Sequence, residues 1–210
     1  MQTYNKIETL YKRDLTGSKK LIEGDFRNPT VEYLKDLTWI GTEKIDGTNI
    51  RVHWDGHRVE FAGRSDKAEI PIKLYKYLQQ QFETPEVEEI FEQAFGEKDV
   101  ILFGEGYGPG IQSGGSYRKD VSFILFDVMI NSNYQSRDTV CEIAQMFNID
   151  VVPVVFMGTL EDAVRFVRTR PKSYFGTADM EGIVMRPQYE LKDRCGNRLI
   201  VKVKVVDFCN

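Results

Sequence analysis

The chain has 210 residues, of which 41% are hydrophobic, 12% aromatic and 29% charged, and its formal net charge is −4. Such a composition can bury a real core, so it excludes bulk disorder. It also argues against a surface coated in positive charge for duplex binding, although it leaves room for a local basic groove.

At the N-terminus, "MQTYNKIETLYKRD" lacks the apolar block of a signal peptide, and no later run approaches the roughly 18 apolar residues of a membrane span. Cys141, Cys195 and Cys209 are widely spaced with no CxxC pair. They predict a reducing, cytoplasmic setting, with neither a disulfide framework nor a zinc site. Length allows one large domain or two small ones.

The first clear element contains "TEKIDGTNIRVHW", residues 42–54, in which Lys44 stands between Glu43 and Asp46-Gly47 just ahead of a strand pattern. Asp55-Gly56 then separates two alternating runs, which predicts a hairpin of strands 49–54 and 57–62. With a two-residue turn, Trp54 would face His57 and His53 would face Arg58. The two histidines would then point to opposite faces, which disfavours a metal pair.

Segments 67–82 and 84–95 read as helices, the second with Thr84 as N-cap and Pro85 at its first position. "DVILFGEGYG" (99–108) and "VSFILFDVMI" (121–130) read as buried strands. The glycine- and serine-rich stretch between them reads as a mobile loop. Further helices are expected over 137–147 and 160–168, and further strands over 151–157, 182–187 and 198–206. An antiparallel hairpin among interleaved helices and strands points to an α+β fold rather than a parallel doubly wound sheet.

Common phosphate-binding loops are absent. "LTGSKKLIEG" lacks the spacing of a P-loop, and the glycines of "GEGYGPG" do not follow GxGxxG into a helix. In the last strand, alternation places Leu199, Val201, Val203 and Val205 on one face and Ile200, Lys202, Lys204 and Val206 on the other. Read alone, the lysine pair could be a solvent-facing side. Taken with Lys44, Asp46, Glu105 and Glu181, it supplies a nucleophile, cations for a polyanion and carboxylates for hydroxyls or a metal. Phosphate chemistry needs that inventory, because catalysis there is mostly charge neutralisation and in-line positioning.

In order, "KIDGTN", "GRSD" (63–66), "FGEGYG", "FILFDV", "EGIVMR" and "KVK" resemble the motifs of the covalent nucleotidyltransferases: ATP-dependent DNA ligases, RNA ligases and mRNA capping enzymes. The resemblance covers residues 43–204. Asn49, where DNA ligases typically carry arginine, resembles the RNA ligases, in particular the RNA ligase 2-like group. The resemblance implies an α+β adenylyltransferase fold, antiparallel sheets flanked by helices around a nucleotide cleft. Residues 1–210 would be a single nucleotidyltransferase domain, a minimal form without an OB or helical C-terminal domain.

The resemblance further implies ATP as cofactor, held as covalent AMP on Lys44, with Mg²⁺ or Mn²⁺. An ordinary lysine titrates near 10.4, and the amine must be neutral to attack. Burial and nearby cations would lower that value, carboxylates would raise it, and a bound divalent ion would offset the carboxylates. Lys202 and Lys204 would contact the α-phosphate, and Glu105 the ribose hydroxyls. Arg64 would hold a phosphate or ribose oxygen, and Phe126 would stack on adenine, core packing being its alternative. Glu181 and Asp46 would position the metal, and Glu43 and Asn49 would complete the nucleotide set. Arg51 and Arg118 are candidates for RNA phosphates, with ordinary surface charge as the alternative.

The expected activity joins RNA 5′-phosphate and 3′-hydroxyl ends through an adenylylated 5′ end. A separate RNA-binding protein could supply the missing domain. Alternatives are a DNA or nick ligase, a GTP-using capping enzyme, and an inactive nucleotide- or RNA-binding module.

Overall fold

The computed structural model describes residues 1–209. In chain order it begins with β1 (Glu8–Thr9), β2 (Tyr11–Arg13), β3 (Leu21–Phe26), α1 (Pro29–Tyr33) and β4 (Trp39–Glu43). Next come β5 (Thr48–Trp54), β6 (Val59–Ala62), α2 (Ile72–Phe82), α3 (Pro85–Phe95) and β7 (Val100–Tyr107). β8 (Ser122–Ile130), β9 (Asn133–Tyr134), α4 (Arg137–Met146) and β10 (Asp150–Val151) follow. The chain continues through β11 (Val154–Gly158), α5 (Leu160–Arg168), β12 (Gly182–Pro187), β13 (Val201–Lys204) and α6 (Val205–Phe208). The fold is α+β, with sheets paired mainly antiparallel and helices packed on them. Among the described residues no helix is long and apolar enough to cross a membrane.

The chain divides into two compact units. A central unit holds Met1–Asn5 and Asp46–Val152, and a terminal unit holds Lys6–Ile45 and Pro153–Asn210.

The central unit is built on the sheet β10-β8-β7-β5-β6, with β9 beside β8. One face buries Ile50, Val52 and Trp54 of β5 with Val100 and Leu102 of β7. Leu74 and Phe82 of α2, Phe91 of α3 and Ile143 of α4 cover it. Burial of such side chains supplies roughly 1.5–3 kcal/mol each, the main drive for docking these helices. Because side chains alternate, Asn49, Arg51 and His53 must take the opposite face, together with Ile101, Phe103 and Glu105.

The terminal unit is built on the sheet β1-β13-β12-β4-β11. Its core face joins Trp39, Ile183, Met185, Val201 and Val203 to Leu160, Ala163, Val164 and Val167 of α5. The Thr159 side chain caps α5 by accepting from the Asp162 N–H. Leu199, Val201 and Val203 are buried and Lys202 and Lys204 are not, as alternation predicts.

Several expected boundaries move. The hairpin loop has four residues instead of two, because Trp54 pairs with Val59 and His53 with Glu60. The Asp55 carboxylate accepts from the N–H groups of His57 and Arg58, and the Asp55 N–H donates to the Arg58 carbonyl, which closes the wider turn. His53 instead meets the Asp99 carboxylate at 2.6 Å.

The first expected helix begins at Ile72, not 67, since Pro71 holds the residue before it out of helical conformation. The 151–157 strand is broken at Val152-Pro153 into β10 and β11. The last strand ends at Lys204, where the Val205 N–H turns to the Glu181 carbonyl and α6 begins. The loop expected to be mobile is turned inward by Ile111 and Tyr117, both buried.

Candidate functional site

In the terminal unit, Lys44 lies one residue beyond β4. Its N–H donates to the Gly182 carbonyl at 2.9 Å, extending the β4–β12 ladder by one step. Gly182 in turn pairs with Lys204 on β13. A Cβ at Gly182 would stand 2.3 Å from the Val203 carbonyl oxygen, so only glycine lets the strands approach this closely. Lys44, Gly182 and Lys204 therefore form one row across the sheet, and Glu181 is carried directly beside it.

The Glu181 carboxylate accepts from Lys44 Nζ at 2.6 Å with one oxygen and from Lys204 Nζ at 2.7 Å with the other. All three side chains are half-buried, where such pairs are stronger than at an open surface. Lys202 stands two residues back on the same face of β13. Burial, then the nearby charges of Lys44 and Lys204, hold its amine below the ordinary lysine value, while Glu8 opposes them. Three ammonium groups against the carboxylates of Glu181 and Glu8 leave the cluster net positive, suited to a phosphate group.

Glu43 takes the other direction. It follows the parity of Trp39 and Gly41, is 1% exposed, and lies on the core side of β4. Its carboxylate accepts from the Ser173 hydroxyl at 2.5 Å and the Tyr174 N–H at 2.9 Å. Burial pushes its carboxyl up, against the lowering effect of those two hydrogen bonds. Its side chain thus anchors the 173–174 turn and faces away from Lys44.

In the central unit, Asn49 of β5 pairs directly with Glu105 of β7, and Glu105 with Ile124 of β8. Gly47 makes room for this row, since a Cβ there would stand 2.4 Å from the Gly106 carbonyl oxygen and 2.8 Å from Glu105 Cγ. The Asn49 side-chain oxygen is buried and has no partner among the described residues. An orphaned acceptor of this kind is costly unless a ligand donor completes it.

Phe126 is the extra residue of a β-bulge, because Phe103 pairs with Asp127 and Gly104 with Leu125. It shares the Glu105 face, and Phe123, on the opposite face, packs against Phe82 in the core. The Phe126 ring stands edge-on to Tyr4, with centroids 5.0 Å apart.

Asp46 and Arg64 lie on loops of the same unit. The Asp46 N–H donates to the Tyr117 hydroxyl, and its carboxylate accepts from the Ser113 N–H, each at 3.3 Å. Arg64 is exposed. Arg118 is partly buried, donates to the Tyr107 hydroxyl at 3.3 Å and lies 3.6 Å from the Asp150 carboxylate. Arg51 is fully buried, so the expectation of a surface or phosphate-facing charge does not hold for it.

The fold thus brings Lys44, Glu181, Lys202 and Lys204 together on one sheet, and Asn49, Glu105 and Phe126 on one face of another. Sequence reasoning missed the anchoring roles of Glu43, Arg51 and Tyr117. The alternation Trp39-Gly41-Glu43 was a usable signal for the first, since it points Glu43 at the core. Among the described residues no three His, Cys, Asp or Glu side chains group as a metal site.

Comparison with known proteins points to the same family as the resemblance. The RNA ligase family model matches residues 37–204. Solved structures of Naegleria gruberi RNA ligase share the fold. A Lys-to-Met variant with AMP and Mn aligns with TM-score 0.64 and 17% identity, over 84% of this chain and 52% of that one. An apo Asp-to-Ala variant aligns with TM-score 0.66 and 16% identity, over 96% and 58%. A Glu-to-Ala variant with ATP and Mn aligns with TM-score 0.65 and 17% identity, over 94% and 59%. A curated relative, conglutin beta 5 of Lupinus angustifolius, is 26% identical over 160 residues, 72% of this chain and 24% of its own length. The chain therefore spans a little over half of those ligase structures and about a quarter of the conglutin. On the family match, which runs through most of both units, this chain belongs to the RNA ligase family.

Proposed function

We propose that the protein is an ATP-dependent RNA ligase of the RNA ligase 2-like group, with both units acting as one nucleotidyltransferase domain. The observation that carries this reading is the Glu181 carboxylate gripping Lys44 and Lys204, with Lys202 alongside. A lone lysine ahead of an Asp-Gly turn has many explanations. A lysine held by a carboxylate within a net-positive cluster is suited to meeting a polyphosphate.

In this reading the Lys44 amine attacks the α-phosphorus of ATP. A nitrogen–phosphorus bond forms, the bond to the bridging oxygen breaks, diphosphate leaves, and Lys44 carries AMP. To attack, Lys44 must give up its contact with Glu181 and release one proton to solvent, and its nitrogen releases a second as the bond to phosphorus forms. Lys202 and Lys204 offset the charge that grows on the phosphate oxygens. AMP then passes to an RNA 5′-phosphate, and a 3′-hydroxyl displaces it to seal the strand.

Nucleotide recognition falls to groups of the central unit. Glu105 accepts from the ribose hydroxyls, the unpartnered Asn49 oxygen accepts from a nucleotide O–H or N–H, Arg64 holds an oxygen of the nucleotide, and Phe126 stacks on the base. Glu43 contributes through the strand it fixes. Naegleria RNA ligase has been solved with ATP, AMP and Mn, which supports nucleotide and divalent-metal use in this fold.

Asp46 and Glu181 are the residues that would hold such an ion. Both Glu181 oxygens are already shared by ammonium groups, so this carboxylate would reach such an ion only through the ion's water, which Mg²⁺ tends to retain. The ion would neutralise phosphate charge and offset the carboxylates around Lys44.

The test is strand joining. The protein is incubated with ATP, Mg²⁺ and a nicked duplex whose broken strand is RNA, with an all-DNA nick in parallel. Sealing of the RNA nick in preference supports the reading. Sealing of the all-DNA nick alone would move it to DNA ligation, and no sealing of either by protein that still forms lysyl-AMP would remove RNA joining from it.

A further inference from the structure

Arg51 is among the largest fully buried side chains of the molecule. It occupies the sheet face of Asn49 and Glu105, two residues along β5 from Asn49. A buried guanidinium is costly unless its donors are met. Here the Nε donates to the Gly63 carbonyl at 2.8 Å and Nη2 to Asp66 Oδ1 at 2.8 Å. Nη1 donates to the carbonyls of Met1 and Gln2, each at 3.2 Å. The Asp66 carboxyl is held below its ordinary value by this hydrogen bond and by the Arg51 charge.

Gly63 and Asp66 bracket Arg64. The turn between them is otherwise exposed, and one further backbone bond, Ala68 N–H to the Ser65 carbonyl at 3.0 Å, continues it. Arg64 itself forms no ion pair among the described residues, so its approach is set by the backbone beneath it. We propose that Arg51 is a positioning residue for Arg64. By gripping both ends of the Gly63–Asp66 segment it fixes where the Arg64 guanidinium is presented beside the face carrying Asn49 and Glu105. It thereby sets how well Arg64 engages the nucleotide.

The residue type matters. A planar fork with five donors reaches the segment at two points and the N-terminal carbonyls at a third. A lysine ammonium is a single point and can serve one of these groups well. The inference rests on the nucleotide-transfer reading for its consequence, but the clamp itself is independent of activity.

Two measurements on the full chain test it. The first is hydrogen exchange of residues 63–68 in Arg51→Lys and in Asp66→Asn; the second change lies at an exposed residue and spares the core. Exchange about tenfold faster in this segment, with the β5 and β7 amides as protected as before, is the expected result. Unchanged exchange in both variants would overturn the clamp whether or not the protein is an enzyme.

The second is a double-mutant cycle on the rate of lysyl-AMP formation. Arg51→Lys should slow labelling about tenfold when Arg64 is present and less than about threefold in an Arg64→Ala background. Equal losses in both backgrounds would mean that Arg51 acts on stability alone. If Arg51→Lys fails to fold, the same cycle is run with Asp66→Asn. Faster exchange without any labelling by the unaltered protein would leave the clamp standing, remove its proposed effect on the nucleotide and defeat the enzymatic reading.

Discussion

The two units carry different chemistry on the sheet faces turned away from their main helix-covered cores. On the terminal unit, Lys44 and Lys204 hold the Glu181 carboxylate between them with Lys202 alongside, and the cluster is cationic. On the central unit, Asn49, Glu105 and Phe126 present an amide, a carboxylate and an aromatic ring along one face, with Arg51 buried behind a loop. The first set suits the charge of a transferring phosphate, the second a sugar and a base. Charge that grows in a transition state governs rate, whereas contacts to unreactive parts of a substrate are also present in the ground state. The contrast teaches where each kind of kinetic effect should appear.

The strongest way to break it is at the lysines. Lys202→Ala should lower the rate of label transfer from ATP about 10²–10³-fold, as loss of a preorganised charge does, with little change in KM. A near-normal rate would reduce Lys202 to a solvent-side lysine. Its pH behaviour sharpens the point. Because burial and cations hold the Lys202 amine below 10.5, its charge is complete at low pH and is lost as pH rises through that lowered value. Diphosphate affinity, followed by calorimetry, should fall over that range, and the fall should be smaller in Lys202→Ala.

On the other face, Glu105→Ala should raise KM for ATP about tenfold, the scale of one hydrogen bond to a charged group, and leave the maximal rate within about threefold. A collapse in rate at unchanged KM would erase the division between the faces.

A smaller effect is expected at Glu43. Its folded-state carboxyl lies above the ordinary 4.5, so the group favours the folded state below that value and loses the contribution as pH rises through its raised value. Denaturant unfolding of Glu43→Gln beside the unaltered protein should show the variant gaining relative stability from pH 4 to pH 8, by about 1 kcal/mol. A gap that does not change with pH would contradict the buried acid.

Much of the fold could be read from the sequence because it rests on local signals. Thr84-Pro85 begins α3, and strict alternation sorts Lys202 and Lys204 from Val201 and Val203. The family was equally readable, since the family match covers residues 37–204 and so spans the segments that carry the resemblance. What escaped depends on partners distant in the chain. The β-branched pattern past Lys204 suggests more strand, but the Val205 N–H finds the Glu181 carbonyl and the strand stops. Asp55-Gly56 suggests a two-residue turn, but the Asp55 carboxylate stabilises a four-residue loop. An arginine in a strand is ordinarily assigned to solvent. Arg51 is buried because Gly63, Asp66 and the first two residues supply acceptors that no local pattern reveals.

The most direct test is of Lys44 as nucleophile. The purified chain is incubated with Mg²⁺ and α-labelled ATP, or α-labelled GTP in parallel, and then denatured. Label from ATP that stays on the protein and disappears in Lys44→Ala, while that variant still seals pre-adenylylated RNA, is the expected result. Label that persists in Lys44→Ala, or no label on folded protein that carries no AMP beforehand, would contradict it.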